Sequence, residues 1–113
     1  MSCIFCRIIR GEVPSQIVYR DDQVVAFRDI NPQAPVHILV VPVRHIAGVA
    51  DLTPADVELA GRLLLVARQL AEQEGVRDRG YRLVLNQGPD AGQSVDHLHL
   101  HLLAGRRFHW PPG

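Results

Sequence analysis

Segments rich in β-branched and aromatic residues alternate along the chain with turns marked by Gly, Pro and Asp. Short segments of this kind, bounded by such turn residues, are typical of β-strands. The pattern predicts five strands, at residues 16–19, 24–27, 36–41, 81–85 and 95–103.

Two other segments have the three- to four-residue apolar spacing of a helix. The first is short, with Ser2 as its N-cap, and Gly11 would stop it. The second is long, with Thr53 as its cap, Pro54 at its first position and Gly75 at its end. The apolar positions of the short helix are Ile4, Phe5, Ile8 and Ile9. The expected buried stripe of the long helix is Val57, Ala60, Gly61, Leu64, Ala67 and Leu70.

Strands in pairs, one long helix and short connections predict an α+β fold with a mainly antiparallel sheet. The 113 residues are expected to form a single domain, residues 1–113, which is large enough to bury a core. No apolar run approaches the roughly 20 residues of a membrane-spanning helix, so we expect no membrane association.

Composition narrows the functional classes. Twelve basic and twelve acidic residues cancel, which argues against nucleic acid as the main partner. Every basic residue is arginine, and the lack of lysine excludes Schiff-base enzymes and P-loop NTPases. The first residues do not resemble a signal peptide, and two cysteines in such a chain indicate the reducing cytoplasm.

Three histidines alternate with leucines in the last predicted strand. On a strand, His97, His99 and His101 would share one face, while the leucines between them pack on the other. An ordinary solvated face would mix Thr, Lys, Glu and Arg, so this pattern indicates a functional site. Two chemistries fit it: a zinc ion with an open position, or a nucleophilic imidazole that attacks phosphorus.

The segment His-Leu-His-Leu-His-Leu-Leu at residues 97–103 resembles the His-φ-His-φ-His-φ-φ signature of the histidine triad (HIT) superfamily, in which φ is apolar. Further motifs are similar to its nucleotide-binding branch, the purine nucleoside phosphoramidases, and they lie at residues 27–30, 32–35, 37–42, 86–88, 92–95 and 110–113. The resemblance covers essentially the whole chain. It implies a HIT-like fold with a five-stranded sheet, one long and one short helix, and usually a homodimer.

The resemblance also implies a reaction. A purine nucleoside 5′-phosphoramidate, such as adenosine 5′-monophosphoramidate, would be hydrolysed through a covalent nucleotidyl-histidine, with no cofactor required. His99 would attack phosphorus, and Ser94 would serve the phosphate and the leaving nitrogen. His101 and His37 would lie against the phosphate oxygens, either as donors or through the proton network around the phosphate. The other ring nitrogen of His99 must then donate to a fixed acceptor, for which a backbone carbonyl is expected.

The same resemblance implies a nucleoside pocket. Asp29 would accept from the ribose hydroxyls, although an Asx-turn at a strand end is the alternative. Asn86 matches a polar residue near the phosphate, or is a turn former before Gly88, and Trp110 would reach the partner subunit's site. The base would lie among apolar residues that periodicity alone assigns equally well to the core; these are Ile4, Phe5, Ile8, Phe27, Ile30 and Leu39.

Cys3 and Cys6 form a C-x-x-C pair, which alone indicates a redox pair or two small buried residues. A thioredoxin-like context is missing, which argues against the redox role. On a helical turn the two sulfurs would point the same way. Zinc needs two more ligands, and His45 and His97 are available. Relatives that carry the cysteine pair imply these four ligands for a structural zinc ion with no open position.

Two alternatives to a phosphoramidase remain. One is a dinucleoside polyphosphate hydrolase of the same superfamily, against which the motifs at residues 92–95 and 110–113 argue. The other is a non-enzymatic nucleotide-binding or interaction module, against which the intact triad and Ser94 argue.

Overall fold

The computed structural model describes residues 3–113. Short 3-10 turns lie at Val49–Asp51, Pro54–Asp56 and Pro89–Ala91. Within residues 3–113 no helix is long and apolar enough to cross a membrane. In chain order the helices and strands are α1 (Ile4–Ile9), β1 (Ile17–Arg20), β2 (Val24–Arg28), β3 (Val36–Pro42), α2 (Val57–Gln73), β4 (Tyr81–Leu85) and β5 (Leu100–Ala104).

All five strands form one antiparallel sheet in the order β1-β2-β3-β5-β4, which confirms the predicted α+β fold. The two strands that carry site histidines are neighbours. His37 on β3 is opposite Leu103 on β5, and Leu39 is opposite His101. The sheet therefore brings together two imidazole side chains, His37 and His101, that are 64 positions apart in sequence.

The two faces of the sheet are covered by different helices. On one face, α2 packs on a core that includes Ile38, Leu100 and Leu102. The other face packs against α1, and its cluster includes Phe5 and Leu39. Because side chains alternate along a strand, the imidazoles of β3 and β5 lie on the α1 face, opposite Ile38, Leu100 and Leu102.

The start of α2 follows the predicted capping pattern. The Thr53 hydroxyl accepts a hydrogen bond from the Ala55 amide, and the Asp56 carboxylate accepts one from the Thr53 amide. This capping box closes the 3-10 turn Pro54–Asp56, from which α2 continues. Gly75 follows the helix with φ of +72°, the left-handed conformation that suits glycine after a helix end.

The predicted buried stripe of α2 was wrong by roughly a quarter of a helical turn. Of its six members only Ala67 and Leu70 are buried, while Val57 and Leu64 are 72% and 52% exposed. The side chains that face the sheet are Leu63, Val66, Ala67, Leu70 and Ala71. Apolar residues surround so much of this helix that periodicity alone gives two overlapping stripes, and contact with the sheet selects between them.

The predicted last strand, residues 95–103, was also wrong at its start, because β5 begins at Leu100. The register that pairs Val40 with Leu100 places Pro42 opposite Leu98. Proline has no amide hydrogen, so the ladder ends there. The Leu98 amide instead donates to the Ile46 carbonyl at 2.7 Å, beyond the end of β3.

The N-cap of the short helix α1 is Cys3, one residue after the predicted cap, and its sulfur accepts from the Cys6 amide at 3.5 Å. The predicted cap, Ser2, lies outside the described residues. After the helix ends, the chain turns at Gly11, with φ of +77°, where the sequence predicted a stop.

Candidate functional site

A cavity of about 290 Å³ opens on the α1 face of the sheet. Most residues predicted for the nucleoside and the phosphate line it: Ile4, Phe5, Ile8, Phe27, Asp29, Ile30, Leu39, Ser94, His99 and His101. Asn86 and Trp110 are not among the lining residues of this chain, and Trp110 is 83% exposed. The cavity wall is mainly apolar, and its polar lining groups include Asp29, Ser94, His99 and His101.

His99 is buried at the cavity and has a fixed tautomer. Its Nδ1 lies 2.7 Å from the carbonyl oxygen of His97. A carbonyl only accepts, so Nδ1 carries the proton and Nε2 keeps a bare lone pair. The Phe5 ring packs edge-on against the imidazole, with the ring centroids 5.1 Å apart. The backbone acceptor that nucleophilic chemistry requires is therefore present.

A second chain of hydrogen bonds orients two further imidazoles. The Gln33 amide donates to Nδ1 of His37 at 3.1 Å, so the His37 proton is on Nε2. That Nε2 lies 2.9 Å from Nδ1 of His101 and donates to it. His101 consequently carries its proton on Nε2. This nitrogen is buried and has no hydrogen-bond partner among residues 3–113.

Burial keeps both of these imidazoles neutral. Desolvation lowers the pKa of His37, although the nearby Asp29 carboxylate opposes that shift. Desolvation, with added repulsion from the neighbouring His99 and His37 rings, lowers the pKa of His101 to about 4. At pH 7 His101 is therefore a neutral hydrogen-bond donor, as the chain of tautomers requires.

Asp29 makes the Asx-turn contact that was one of its two predicted roles, and it also lines the cavity. Its Oδ1 accepts from the Asn31 amide at 2.8 Å, which is the Asx-turn contact. Its Oδ2 lies 3.6 Å from Nε2 of His37, and the residue lines the cavity. One carboxylate oxygen is thus held by the turn, while the other lies beside the cavity histidines.

The loop that carries Ser94 is held by a glutamine. The Gln93 side-chain amide donates to the Ala47 carbonyl at 2.8 Å and to the Val95 carbonyl at 3.1 Å. Its oxygen accepts from the Gly88 amide at 2.9 Å. Three hydrogen bonds from one side chain tie this loop to itself and to the segment after β3. Ser94 is therefore presented to the cavity from a fixed loop.

Beside the cavity, the four predicted metal ligands converge. One ligand atom from each of Cys3, Cys6, His45 and His97 lies within 4.8 Å of the others. The Cys6 sulfur is 3.3 Å from Nδ1 of His45 and 3.6 Å from Nδ1 of His97. The Cys3 sulfur is 3.5 Å from the same His97 nitrogen.

These separations fit a tetrahedral zinc ion. Zinc–sulfur bonds of about 2.3 Å and zinc–nitrogen bonds of about 2.0–2.1 Å, at the tetrahedral angle, place sulfur and nitrogen about 3.6 Å apart. The other nitrogen of His97, Nε2, lies 2.9 Å from the Pro42 carbonyl. That carbonyl holds the His97 proton on Nε2 and directs a bare Nδ1 at the sulfurs, a typical arrangement for a metal-ligating histidine.

Asp29, His37 and His101 form a second group of possible metal-ligating atoms within 4.8 Å. In this group Nε2 of His37 and Nδ1 of His101 are already bonded to each other. The two nitrogens that face each other are therefore satisfied without a metal ion.

Sequence reasoning missed two contributors to the site. The Gln33 contact uses a backbone amide, which no side-chain pattern reveals. The three hydrogen bonds of Gln93 depend on the fold of its loop, so the Gly-Gln-Ser-Val motif alone indicated only that the loop matters.

Comparison with known proteins adds independent evidence. A protein-family model, that of the HIT domain, matches residues 10–108. The 14 kDa zinc-binding protein of Zea mays is 54% identical in an alignment of 112 residues that covers 97% of this chain and 87% of the maize protein. The crystal structure of a HIT family hydrolase from Legionella pneumophila superposes with a TM-score of 0.97 at 49% identity, covering 99% of this chain and 100% of that one.

A histidine triad nucleotide-binding protein from Candida albicans superposes with a TM-score of 0.82 at 34% identity. That match covers 89% of this chain and 73% of the Candida chain. The Legionella match, which covers 99% of this chain, extends over the cavity and the cysteine–histidine cluster, whereas the family model begins at residue 10, after both cysteines.

Proposed function

This chain belongs to the HIT domain family, and we propose that it hydrolyses purine nucleoside 5′-phosphoramidates of the adenosine 5′-monophosphoramidate type. The observation that carries the proposal is the buried, unpartnered Nε2–H of His101 beside the bare Nε2 of His99. The two rings are 4.9 Å apart between centroids. A donor and a nucleophile side by side suit a phosphate group whose oxygen accepts from one and whose phosphorus is attacked by the other.

The reaction balances in two steps. First, Nε2 of His99 forms a bond to the α-phosphorus while the phosphorus–nitrogen bond breaks. The departing nitrogen takes one proton from solvent through the Ser94 hydroxyl and leaves as an amine. Second, water attacks the nucleotidyl-histidine, releases the nucleoside 5′-monophosphate and returns one proton to solvent. In both steps Nε2–H of His101 donates a hydrogen bond to a phosphate oxygen.

The cavity of about 290 Å³ supports a nucleoside as part of the substrate. Phe27 and Leu39 are buried and line its apolar wall, and Ile30, which also lines it, is 95% exposed. Such a wall stacks on a flat ring and excludes water from it. The Candida relative is named a nucleotide-binding protein, which agrees with this use of the cavity. Oδ2 of Asp29 is the acceptor that we assign to the ribose hydroxyls.

The test compares turnover of a fluorogenic adenosine phosphoramidate with turnover of diadenosine tetraphosphate. We expect hydrolysis of the phosphoramidate, and mass spectrometry of a rapidly quenched reaction should find the nucleotidyl group on the peptide that contains His99. Faster turnover of diadenosine tetraphosphate would instead identify a polyphosphate hydrolase. Nucleotide binding without turnover of either compound would leave a binding module.

We infer also that Cys3, Cys6, His45 and His97 hold a structural zinc ion. The separations of their ligand atoms suit tetrahedral coordination, and the maize relative is named a zinc-binding protein. All four positions would be protein ligands, so the ion has no open position for substrate. We place the protein in the cytoplasm, where reducing conditions leave both thiols available to the metal.

We propose also that two copies of this chain form a homodimer. The edge strand β4 pairs with β5 on one side only, and α2 exposes apolar side chains that include Val57, Leu64 and Leu65. A second copy could cover both, and Trp110 would then reach the partner subunit's site. Light scattering at micromolar concentration should give twice the mass of the chain, and Leu65→Arg should halve it. A monomeric wild-type protein would contradict the dimer.

A further inference from the structure

A second cavity of about 520 Å³ shares a wall with the first. Ile4, Ser94 and Val95 line both cavities. The first cavity takes the nucleoside in the function proposed above, on which this inference rests. With phosphorus held at His99 and Ser94, a group that departs past Ser94 enters the second cavity.

The second cavity is lined by one acidic side chain, Asp96. Asp96 is exposed, and its carboxylate forms no ion pair with any other residue in the described range 3–113. No arginine lines this cavity. The other titratable lining groups, Cys3 and His45, belong to the cysteine–histidine cluster. In that cluster two thiolates would balance the two charges of zinc.

One uncompensated negative charge is therefore left where the leaving group must lie. We propose that the second cavity is a leaving-group subsite, in which Asp96 selects amines that carry a second, positively charged group. Diamines and basic amino-acid amides have this chemistry. An anionic leaving group, such as a nucleoside polyphosphate, is repelled by the same carboxylate.

The preference should be modest, because Asp96 is exposed and water screens its charge. Exposed ion pairs contribute about 0.2–1 kcal/mol, which corresponds to at most about fivefold in a rate or an affinity. We expect kcat/KM to rise about two- to fivefold for a cationic leaving group over a neutral one. A comparable fall is expected for an anionic leaving group.

Three amides of adenosine 5′-monophosphate test the subsite. Their amines are 1,5-diaminopentane, hexylamine and 6-aminohexanoate, which share one five-carbon spacer and end in a positive, a neutral and a negative group. The wild-type protein should hydrolyse them in that order of kcat/KM. The differences in kcat/KM among the three amides should shrink as ionic strength is raised, because salt screens exposed charges.

Substitutions then assign the preference to one residue. Asp96→Asn should make the three rates equal, and Asp96→Lys should reverse their order. Asp78→Asn is the matched control, since Asp78 is an exposed acid in the turn before β4, at the opposite end of the sheet from the second cavity. It should keep the wild-type order. The hexylamine compound reports any general loss of folding or zinc in these variants.

The outcomes separate the two proposals. No turnover of any of the three amides would refute the proposed phosphoramidase. Turnover of all three at equal rates by the wild type, or a charge preference that survives in Asp96→Asn and Asp96→Lys, would overturn the subsite alone.

Discussion

The Nε2 of His37 lies 2.9 Å from the Nδ1 of His101, across the neighbouring strands β3 and β5. Since the Gln33 amide already occupies the other nitrogen of His37, this single contact settles the tautomers of both imidazoles. The outcome is a buried His101 donor that has no hydrogen-bond partner within residues 3–113 and is therefore free to bind a ligand in the cavity. Gln33 before β3, His37 on β3 and His101 on β5 thereby orient one N–H donor that we assign to a phosphate oxygen.

The first prediction concerns the nucleophile. His99→Ala should abolish hydrolysis of a fluorogenic adenosine phosphoramidate and leave binding of adenosine 5′-monophosphate largely intact, because the cavity wall remains. The measurements are single-turnover rate and calorimetric affinity. His101→Ala should keep a residual rate, since loss of one stabilising donor costs about 2.7–4 kcal/mol in the transition state. A His99→Ala rate within tenfold of the wild type would disprove the assignment.

The second prediction is a pH dependence of stability. The folded-state pKa of His101 is about 4, below the unfolded value near 6.5, because burial and neighbouring imidazoles disfavour its charged form. Between these values the unfolded state binds more protons, so stability present above pH 6.5 is lost as pH falls towards 4. His101 can contribute a slope of at most about 1.4 kcal/mol per pH unit.

Urea denaturation of the wild type and of His101→Asn from pH 7 to pH 4 measures this contribution. The variant should lose less stability over the interval than the wild type loses. His109→Asn, which changes an exposed histidine near the C-terminus, is the control and should keep the wild-type slope. Equal slopes in wild type and His101→Asn would mean that His101 titrates normally in the folded protein.

The third prediction concerns the ribose. If Oδ2 of Asp29 accepts from the ribose hydroxyls, 2′,3′-dideoxyadenosine 5′-monophosphate should bind more weakly than adenosine 5′-monophosphate. Loss of a hydrogen bond to a charged group costs about 1.5–3 kcal/mol. Asp29→Asn should keep the turn, because its side-chain oxygen can still accept from the Asn31 amide. It places an NH2 donor where Oδ2 was, so it should lose most of the preference for the ribose form. Equal affinity for the two nucleotides would leave Asp29 with the Asx-turn alone.

Much of this site was predictable because it depends on local periodicity. The alternation of His and Leu predicted that the imidazoles share one face of the sheet. His97 and His99 precede the first paired residue of β5, Leu100, and their imidazoles still lie with His101 on the α1 face. The strand at residues 81–85 has the bounds that its composition predicted. The pairing of β3 with β5 brings His97, just before β5, to the same end of the sheet as His45, just after β3.

The features that were missed depend on contacts between distant segments. Which face of α2 is buried follows from the sheet beneath it, and the sequence offered two apolar stripes. The Pro42 carbonyl that orients His97 and the Gln33 amide that orients His37 are backbone groups, so neither has a side-chain signature. The role of Asp96 requires knowing that two cavities meet at Ser94.

The last prediction is the zinc ion. Protein purified without a chelator or a metal column should contain about one equivalent of zinc, because four ligand atoms already converge at tetrahedral spacing. Cys6→Ser should lose the metal and melt at a lower temperature, by about 4 °C or more for each kcal/mol lost. A bound ion would tie α1 to the segment after β3, and α1 supplies Phe5 to the cavity. Activity should nevertheless fall only modestly, because His99 keeps its backbone acceptor at His97.

Thiol titration before and after chelation checks the same site by a second measurement. Both cysteines should be protected in the native holoprotein and react once zinc is removed, since a coordinated thiolate is a poor nucleophile towards the reagent. Ile9→Ala is a matched control, because it trims α1 next to the cluster without removing a ligand. It should lower the melting temperature but keep the zinc. Less than a tenth of an equivalent of zinc in the wild type, with both thiols reactive from the start, would make Cys3 and Cys6 ordinary cysteines at the start of a helix.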